Sequence, residues 1–491
     1  MVDVGLAYGS GTELVEAMAA GQVSAVELAE ATIARIERLD ATINAVCVRD
    51  FDRALASARD ADAARARGKV RPLLGVPMTV KESFHVAGLP TTWGMPMFKD
   101  HVPDADAVAV ARVKAAGAVV LGKTNVPLGL GDFQSYNDVY GTTRNPWNPE
   151  RIPGGSSGGS AAALAAGYGA LSIGSDIGGS LRNPAHYCGI YAHKPTLGLL
   201  PSRGHTKPPL PSFPTESDLA VIGPMARTAA DLSLLLDILA EPDELALGAA
   251  YRLALPAARH ADLADYRVLV FDAHPSIPTS ATVRAAIEEF SGKLAGAGAK
   301  VSWESPLLPD QAEAARLYMR MLMSVLGAGY APELYEKARA EAVHLDADDH
   351  SLAAERGRGA VLSHREWILA DAERAALRER WRALFTEFDV VLYPVMPAPA
   401  FPHDHSDQGS RRISIDGTEY DYGDQLALAG VATLPGLPAT ALPIGISEDG
   451  LPIGVQAIGP MYEDRTTIRF AELAEREFGG FTPPPLEWAA A

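Results

Sequence analysis

The sequence predicts an α/β protein in which a parallel or mixed β-sheet is covered by helices. Three observations lead there. From residue 70 onward, short apolar runs punctuated by Gly and Pro alternate with helical stretches, the pattern of strands joined by crossover helices. The chain has 491 residues, 47% of them hydrophobic, which is ample for a large core. With 21% charged residues and no low-complexity tract, it does not have the composition of a disordered chain.

The elements follow in order. Residues 10–62 read as helices. Ser24 followed by Glu27 fits a capping box, and Leu28, Thr32, Ile36 and Leu39 then recur at helical spacing. A strand through Val76–Val80 delivers Lys81 at its end. Ala105–Ala116 reads as a helix and Ala118–Leu121 as a strand. The Pro-rich segment 207–214 reads as a surface loop. Ile222–Arg227 leads into a helix through Leu239. Tyr266–Phe271 is a strand, followed by a helix near 284–297. Residues 310–380 are helical and more charged, an excursion over the sheet. Val390–Val395 is an apolar strand and 401–417 a polar loop. Leu428–Gly459 has strand-like pieces, and a helix follows from Thr466 to Glu477.

Charge and cysteine content exclude several function classes. A formal net charge of −18, with no dense Lys/Arg cluster, opposes direct nucleic-acid or anionic-membrane binding. Cys47 and Cys188, the two cysteines, fit no common metal or redox spacing and read as free, buried thiols in a reducing compartment. The first residues lack a basic n-region followed by an apolar h-region, and Ala161–Ile173 is too short to span a bilayer. A soluble cytoplasmic protein is expected.

Some motifs are decoys. Gly117–Thr124 has the spacing of a nucleotide-binding phosphate loop. Its interior, Ala-Val-Val-Leu, favours a strand over a loop that curls around phosphate. His403-Asp404-His405 is a short polar cluster with no third metal ligand indicated.

Two other segments carry more. Gly154-Gly-Ser156-Ser-Gly-Gly-Ser160 precedes an Ala-rich helix former, so it reads as a buried turn that opens a core helix. Asp176-Ile-Gly-Gly-Ser180-Leu-Arg182 places a glycine pair just before a serine. The missing side chains expose the hydroxyl and free consecutive N–H groups to face a developing oxyanion. Asp176 and Arg182 are placed to pair across the turn. A base is needed, and two remain open. One is a histidine, with His186, His193 and His205 nearby in sequence. The other is Lys81, in an apolar strand context. Keeping a lysine neutral at pH 7 means lowering its ordinary pKa of about 10.4 by an amount worth about 5 kcal/mol. Burial supplies effects of that size.

Taken together, these segments resemble the amidase signature family. The matching pieces are GGSSGGS at 154–160, DIGGSLR at 176–182 and Lys81 in VPMTVKESF. GKTNVP at 122–127, YGTTRNPWNP at 140–149, HKPTLG at 193–198 and GPMART at 223–228 also match. The resemblance covers roughly residues 10–240 and resumes more loosely at 390–480.

The resemblance implies a single large domain with a mixed, twisted sheet covered by helices on both faces. It implies an N-terminal helical segment (1–65) packed on the core, a signature core (66–300), a helical excursion (301–385) covering the active-site cleft, and a C-terminal part of the core (386–491). Ser180 would be the nucleophile, Ser156 the bridging serine joined to Gly155 by a cis peptide bond, and Lys81 the neutral base. The N–H groups of Ile177, Gly178, Gly179 and Ser180 would form the oxyanion hole, supported by Gly155, Asp176 and Arg182. No metal or organic cofactor is required.

The family includes amidases, aryl-acylamidases, urethanases and the glutamine-hydrolysing subunit of a tRNA amidotransferase. A small-molecule amide is the expected substrate, with a carbamate as the alternative, turned over by a monomer or homodimer. Leu128–Tyr136, Tyr318–Met323 and the loop after Met396 are candidate pocket walls. For Tyr318–Met323, plain helix packing is an equal reading. The loops 203–216 and 401–417 are candidate rims.

Overall fold

The computed structural model describes residues 4–212 and 216–489. Its centre is an eleven-stranded sheet. In chain order the strands are β1 (Val46–Arg49), β2 (Pro77–Lys81), β3 (Val119–Thr124), β4 (Leu171–Asp176), β5 (Tyr191–Lys194), β6 (Val221–Ala226), β7 (Arg267–Val270), β8 (Lys300–Ser302), β9 (Val390–Pro394), β10 (Ala439–Ile446) and β11 (Pro452–Ile458). Across the sheet they run β1-β3-β2-β4-β6-β5-β10-β11-β9-β7-β8.

The sheet is mixed. β3, β2 and β4 are parallel neighbours, as are β9, β7 and β8, while the strands between are antiparallel. β2, β3, β4, β6 and β9 are buried along their whole length, which explains why they read as continuous apolar runs rather than as alternating ones.

The helices bury the stripes that the sequence predicts. Ser24 and Glu27 form the expected capping box at the start of helix Ala25–Ile43, and Leu28, Ile36 and Leu39 on that helix are buried. Thr32 turns its hydroxyl back to the Leu28 carbonyl at 2.7 Å. Four helices occupy 311–387, where the sequence predicts a charged helical excursion.

Four expectations are corrected. The N-terminal helices are interrupted by β1, whose Val-Cys-Val-Arg alternates inward and outward. The polar loop 401–417 ends in a hairpin, Arg412–Ile415 with Thr418–Asp421. It turns at Asp416-Gly417, a two-residue signal flanked by alternating apolar positions. Leu426–Thr433 is a helix rather than strand. It is buried nearly all round, so it lacks the polar face that marks helical periodicity. Cys47 is only half-buried, whereas Cys188 is buried, and both are free thiols.

The Gly117–Thr124 decoy enters β3, and Lys123 bonds Thr91 and the Pro90 carbonyl. The described part of the Pro-rich loop has no regular structure, and residues 213–215 lie outside the described residues.

Candidate active site

β2 and β4 are neighbours, so the end of β2 lies beside the turn that follows β4. Side chains alternate along a strand. Lys81 and Glu82 therefore separate. The Glu82 carboxylate accepts from the N–H groups of Thr92 and Trp93 and from the Tyr140 hydroxyl. Lys81 turns the other way, fully buried, and reaches three hydroxyls. Its Nζ lies 2.7 Å from Ser156 Oγ, 2.8 Å from Ser175 Oγ and 3.0 Å from Ser157 Oγ. Burial lowers its pKa to about 7, with the Asp176 charge opposing the shift.

Ser156 lies in the turn that opens helix Gly158–Ala165, and its bond to Gly155 is cis. At Gly155 a Cβ would collide with the Asp132 carbonyl and press on the backbone of Phe133 and Gln134. Ser157 occupies the helix N-cap but makes no capping bond. A serine there ordinarily caps its helix. Here its hydroxyl faces Lys81 and the Ser175 backbone instead.

The second turn follows β4. Asp176, at the strand's end, accepts from the N–H groups of Gly179 (2.9 Å) and Leu181 (3.1 Å) and pairs with Arg182 at 2.9 Å, both side chains buried. Burial alone would raise the Asp176 carboxyl. The Arg182 guanidinium, together with Lys194 and the Leu181 N–H, more than offsets this and holds it below the usual carboxylate range. Arg182 also bonds Gln456 Oε1, Thr433 Oγ1 and the Ala429 carbonyl, which anchors the turn to β11 and to the helix Leu426–Thr433.

Exposure rises from Lys81 (0%) through Ser156 (2%) to Ser180 (8%), so Ser180 is the outermost of the three. Its carbonyl accepts from Ser157 N–H at 3.3 Å, which ties the two turns together. Its hydroxyl makes no hydrogen bond among the described residues.

The structure thus gathers Ser156, Gly155, Asp176, Ile177, Gly178, Gly179, Ser180 and Arg182 into two joined turns, with Lys81 reaching Ser156 from the end of β2. One member of the expected oxyanion set needs correction: the Gly179 N–H is taken by Asp176. The N–H groups of Ile177, Gly178 and Ser180 find no acceptor among the described residues.

The three histidines bond elsewhere. His186 meets the Gly454 and Ala398 backbones, His193 meets Thr440 and Asp464, and His205 meets Ser83. Ser175 and Asn183 belong to the site, although no sequence signal singles them out. Asn183, one residue past the matched motif, bonds both polar groups of Gly155 and the Gly179 carbonyl.

Of the candidate walls, Met319, Met321 and Leu322 go to core packing, while Tyr318 reaches the Ile177 carbonyl. The rim loop is tied down: Gln134 bonds the Asp404 backbone in both directions, Arg411 pairs with Asp132 at 2.6 Å, and His405 stacks on Tyr136.

A buried lysine lowered toward neutrality among serine hydroxyls, next to a turn with free N–H groups, is the equipment of a hydrolase acting on acyl bonds. Comparison with known proteins makes this more specific. The Amidase family model matches residues 27–468, and the chain belongs to that family, enzymes that act on carbon–nitrogen amide bonds.

It is 35% identical to a glutamyl-tRNA(Gln) amidotransferase subunit from Roseiflexus castenholzii over 94% of each chain. It is 34% identical to the AtzE subunit of 1-carboxybiuret hydrolase from Pseudomonas sp. (strain ADP), over 94% of this chain and 97% of that one. Among solved structures, it superposes with a TM-score of 0.80 and 31% identity on a chain from a vestigial protein complex that bears on the origins of an s-triazine catabolic enzyme. That match covers 97% of this chain and all of the other. Among the described residues, no helix is long and apolar enough to cross a membrane.

Proposed function

We propose that the chain hydrolyses an aryl or alkyl amide through an acyl-enzyme, with Ser180 as nucleophile, Ser156 as bridge and Lys81 as base. The observation that carries this reading is the buried Lys81 amine, 2.7 Å from Ser156 and lowered to about 7. As Lys81 takes a proton from Ser156, Ser156 takes one from Ser180, whose oxygen attacks the substrate carbonyl. The resulting oxyanion faces the N–H groups of Ile177, Gly178 and Ser180. The relay then reverses and protonates the leaving nitrogen. That step is needed because an amide anion is a very poor leaving group. Water cleaves the ester at Ser180 and restores the enzyme.

A carbamate carbonyl presents the same geometry to Ser180, so urethane cleavage is the companion activity to test. Similarity to an amidotransferase subunit over nearly the whole chain favours one second reading, glutamine hydrolysis inside a complex. A single panel separates these readings. Purified wild type and Ser180→Ala are compared on a nitroanilide, a short aliphatic amide, glutamine and an aryl carbamate. Turnover of the nitroanilide by the isolated chain, lost in Ser180→Ala, supports the stand-alone amidase. Glutamine turnover that appears only with co-purified partners supports the second reading instead.

A further inference from the structure

We propose that Tyr318 and Asn183 are positioning residues, each aiming an oxyanion-binding N–H by holding the carbonyl at the other end of the same peptide. The inference rests on the reading of Ser180 as nucleophile and extends it to two residues outside the relay.

A trans peptide is planar, with its C=O and N–H pointing in opposite directions. A group that holds the carbonyl therefore sets the direction of the N–H. The Ile177 carbonyl and the Gly178 N–H belong to one peptide, and the Tyr318 hydroxyl donates to that carbonyl at 2.6 Å. The Gly179 carbonyl and the Ser180 N–H belong to another, and Asn183 grips that carbonyl twice, through its backbone N–H at 2.7 Å and through Nδ2 at 2.8 Å. The peptide between them is held from its nitrogen side, where Gly179 N–H donates to Asp176. Three consecutive peptides are each fixed by a different side chain. The N–H groups of the outer two are left without an acceptor among the described residues.

Both residues are built to hold still. Tyr318 is buried on helix Gln311–Gly327, and its ring lies against Gly430 so closely that a Cβ there would run into it. Burial pushes its phenol well above the usual range, so it remains a donor. Asn183 is fully buried. Its Oδ1 accepts from Gly155 N–H at 3.0 Å while Nδ2 faces the Gly155 and Gly179 carbonyls, an arrangement that defines the amide's orientation. Asn183 therefore locks the turn carrying Ser180 to the turn carrying Ser156. Preorganised donors of this kind act in the transition state without reorganising, which predicts an effect on rate rather than on binding.

The test uses an alkyl fluorophosphonate, which phosphonylates the Ser180 oxygen with loss of fluoride and needs no knowledge of the natural substrate. Tyr318→Phe removes one hydroxyl and keeps the ring. Asn183→Asp keeps the acceptor for Gly155 N–H and removes the side-chain donor to the Gly155 and Gly179 carbonyls, leaving the Gly179 carbonyl only the backbone N–H of residue 183. Each variant is expected to lower the maximal labelling rate about 10- to 100-fold, with the half-saturating concentration within about threefold of wild type. Wild-type labelling rates in both variants, with Ser180→Ala inert, would overturn the inference and leave the reading of Ser180 standing. A rise in half-saturation at an unchanged maximal rate would also overturn it, because the residues would then act on binding. Undiminished labelling of Ser180→Ala would instead remove the reading of Ser180 on which the inference rests.

Discussion

Lys81 Nζ sits 2.7 Å from the Ser156 hydroxyl, and no carboxylate among the described residues forms an ion pair with it. Asp176, whose charge acts on Lys81, is engaged with Arg182, and the adjacent Glu82 with the Thr92–Trp93 backbone. An unpaired buried ammonium is costly, so the proton is readily given up.

The first prediction concerns pH. Burial lowers Lys81 to about 7, so the amine is protonated, and unable to accept a proton, in more acidic solution. On a nitroanilide, kcat/KM should fall about tenfold per pH unit below about 7 and level off above it. A profile that stays flat from mildly acidic to alkaline pH would place the base elsewhere.

The second separates the three serines around Lys81. All lie within 3.0 Å of the amine, so distance alone does not choose the bridge. Ser156→Ala and Ser180→Ala should each lose about 10³-fold or more in kcat, as relay loss implies. Ser157→Ala and Ser175→Ala should lose about tenfold at most. Equal losses at Ser156 and Ser175 would reassign the bridge.

The third concerns Arg182, whose guanidinium neutralises Asp176 in the interior. Removing one partner of a buried pair costs about 3–5 kcal/mol. Arg182→Gln should be less stable by that margin in denaturant unfolding. It should also shift the acid limb of kcat/KM toward higher pH, since an unneutralised Asp176 favours the charged form of Lys81. A limb that moves toward lower pH would contradict the electrostatics.

The sequence and the structure agree where chemistry is local. Lys81 at a strand end, Ser156 in a glycine turn before an Ala-rich helix, and the Asp176–Arg182 pair six residues apart are each visible within a short window. Contacts that join distant segments are not legible in that way. Tyr318 meets Ile177 across 141 residues, and its neighbours on the same helix are ordinary core. Asn183 stands one position past a matched motif, where nothing in the pattern calls for a carboxamide. Helix Leu426–Thr433 reads as strand in the sequence because an element buried on all sides shows no period.

The last prediction concerns the loop that rims the site. Asp132 lies in the segment packed against Gly155, and its side chain accepts from Arg411 at 2.6 Å and from the Tyr422 hydroxyl at 2.8 Å. Arg411 also holds the Ser406 carbonyl and the Tyr136 hydroxyl, so one buried guanidinium gathers the loop onto the floor of the site. Arg411→Met leaves the Asp132 charge buried with only a phenol partner, which should cost about 3–5 kcal/mol. Much of that loss should appear as local opening, because the neighbouring residues Asp407–Ser410 are exposed and held mainly by short-range bonds. Limited proteolysis should then cut within 404–411 faster than in wild type, before global unfolding. Asp132→Leu combined with Arg411→Met removes both charges and should recover most of the lost stability. If the double variant remained as unstable as the single one, the ion pair would not be what holds the loop.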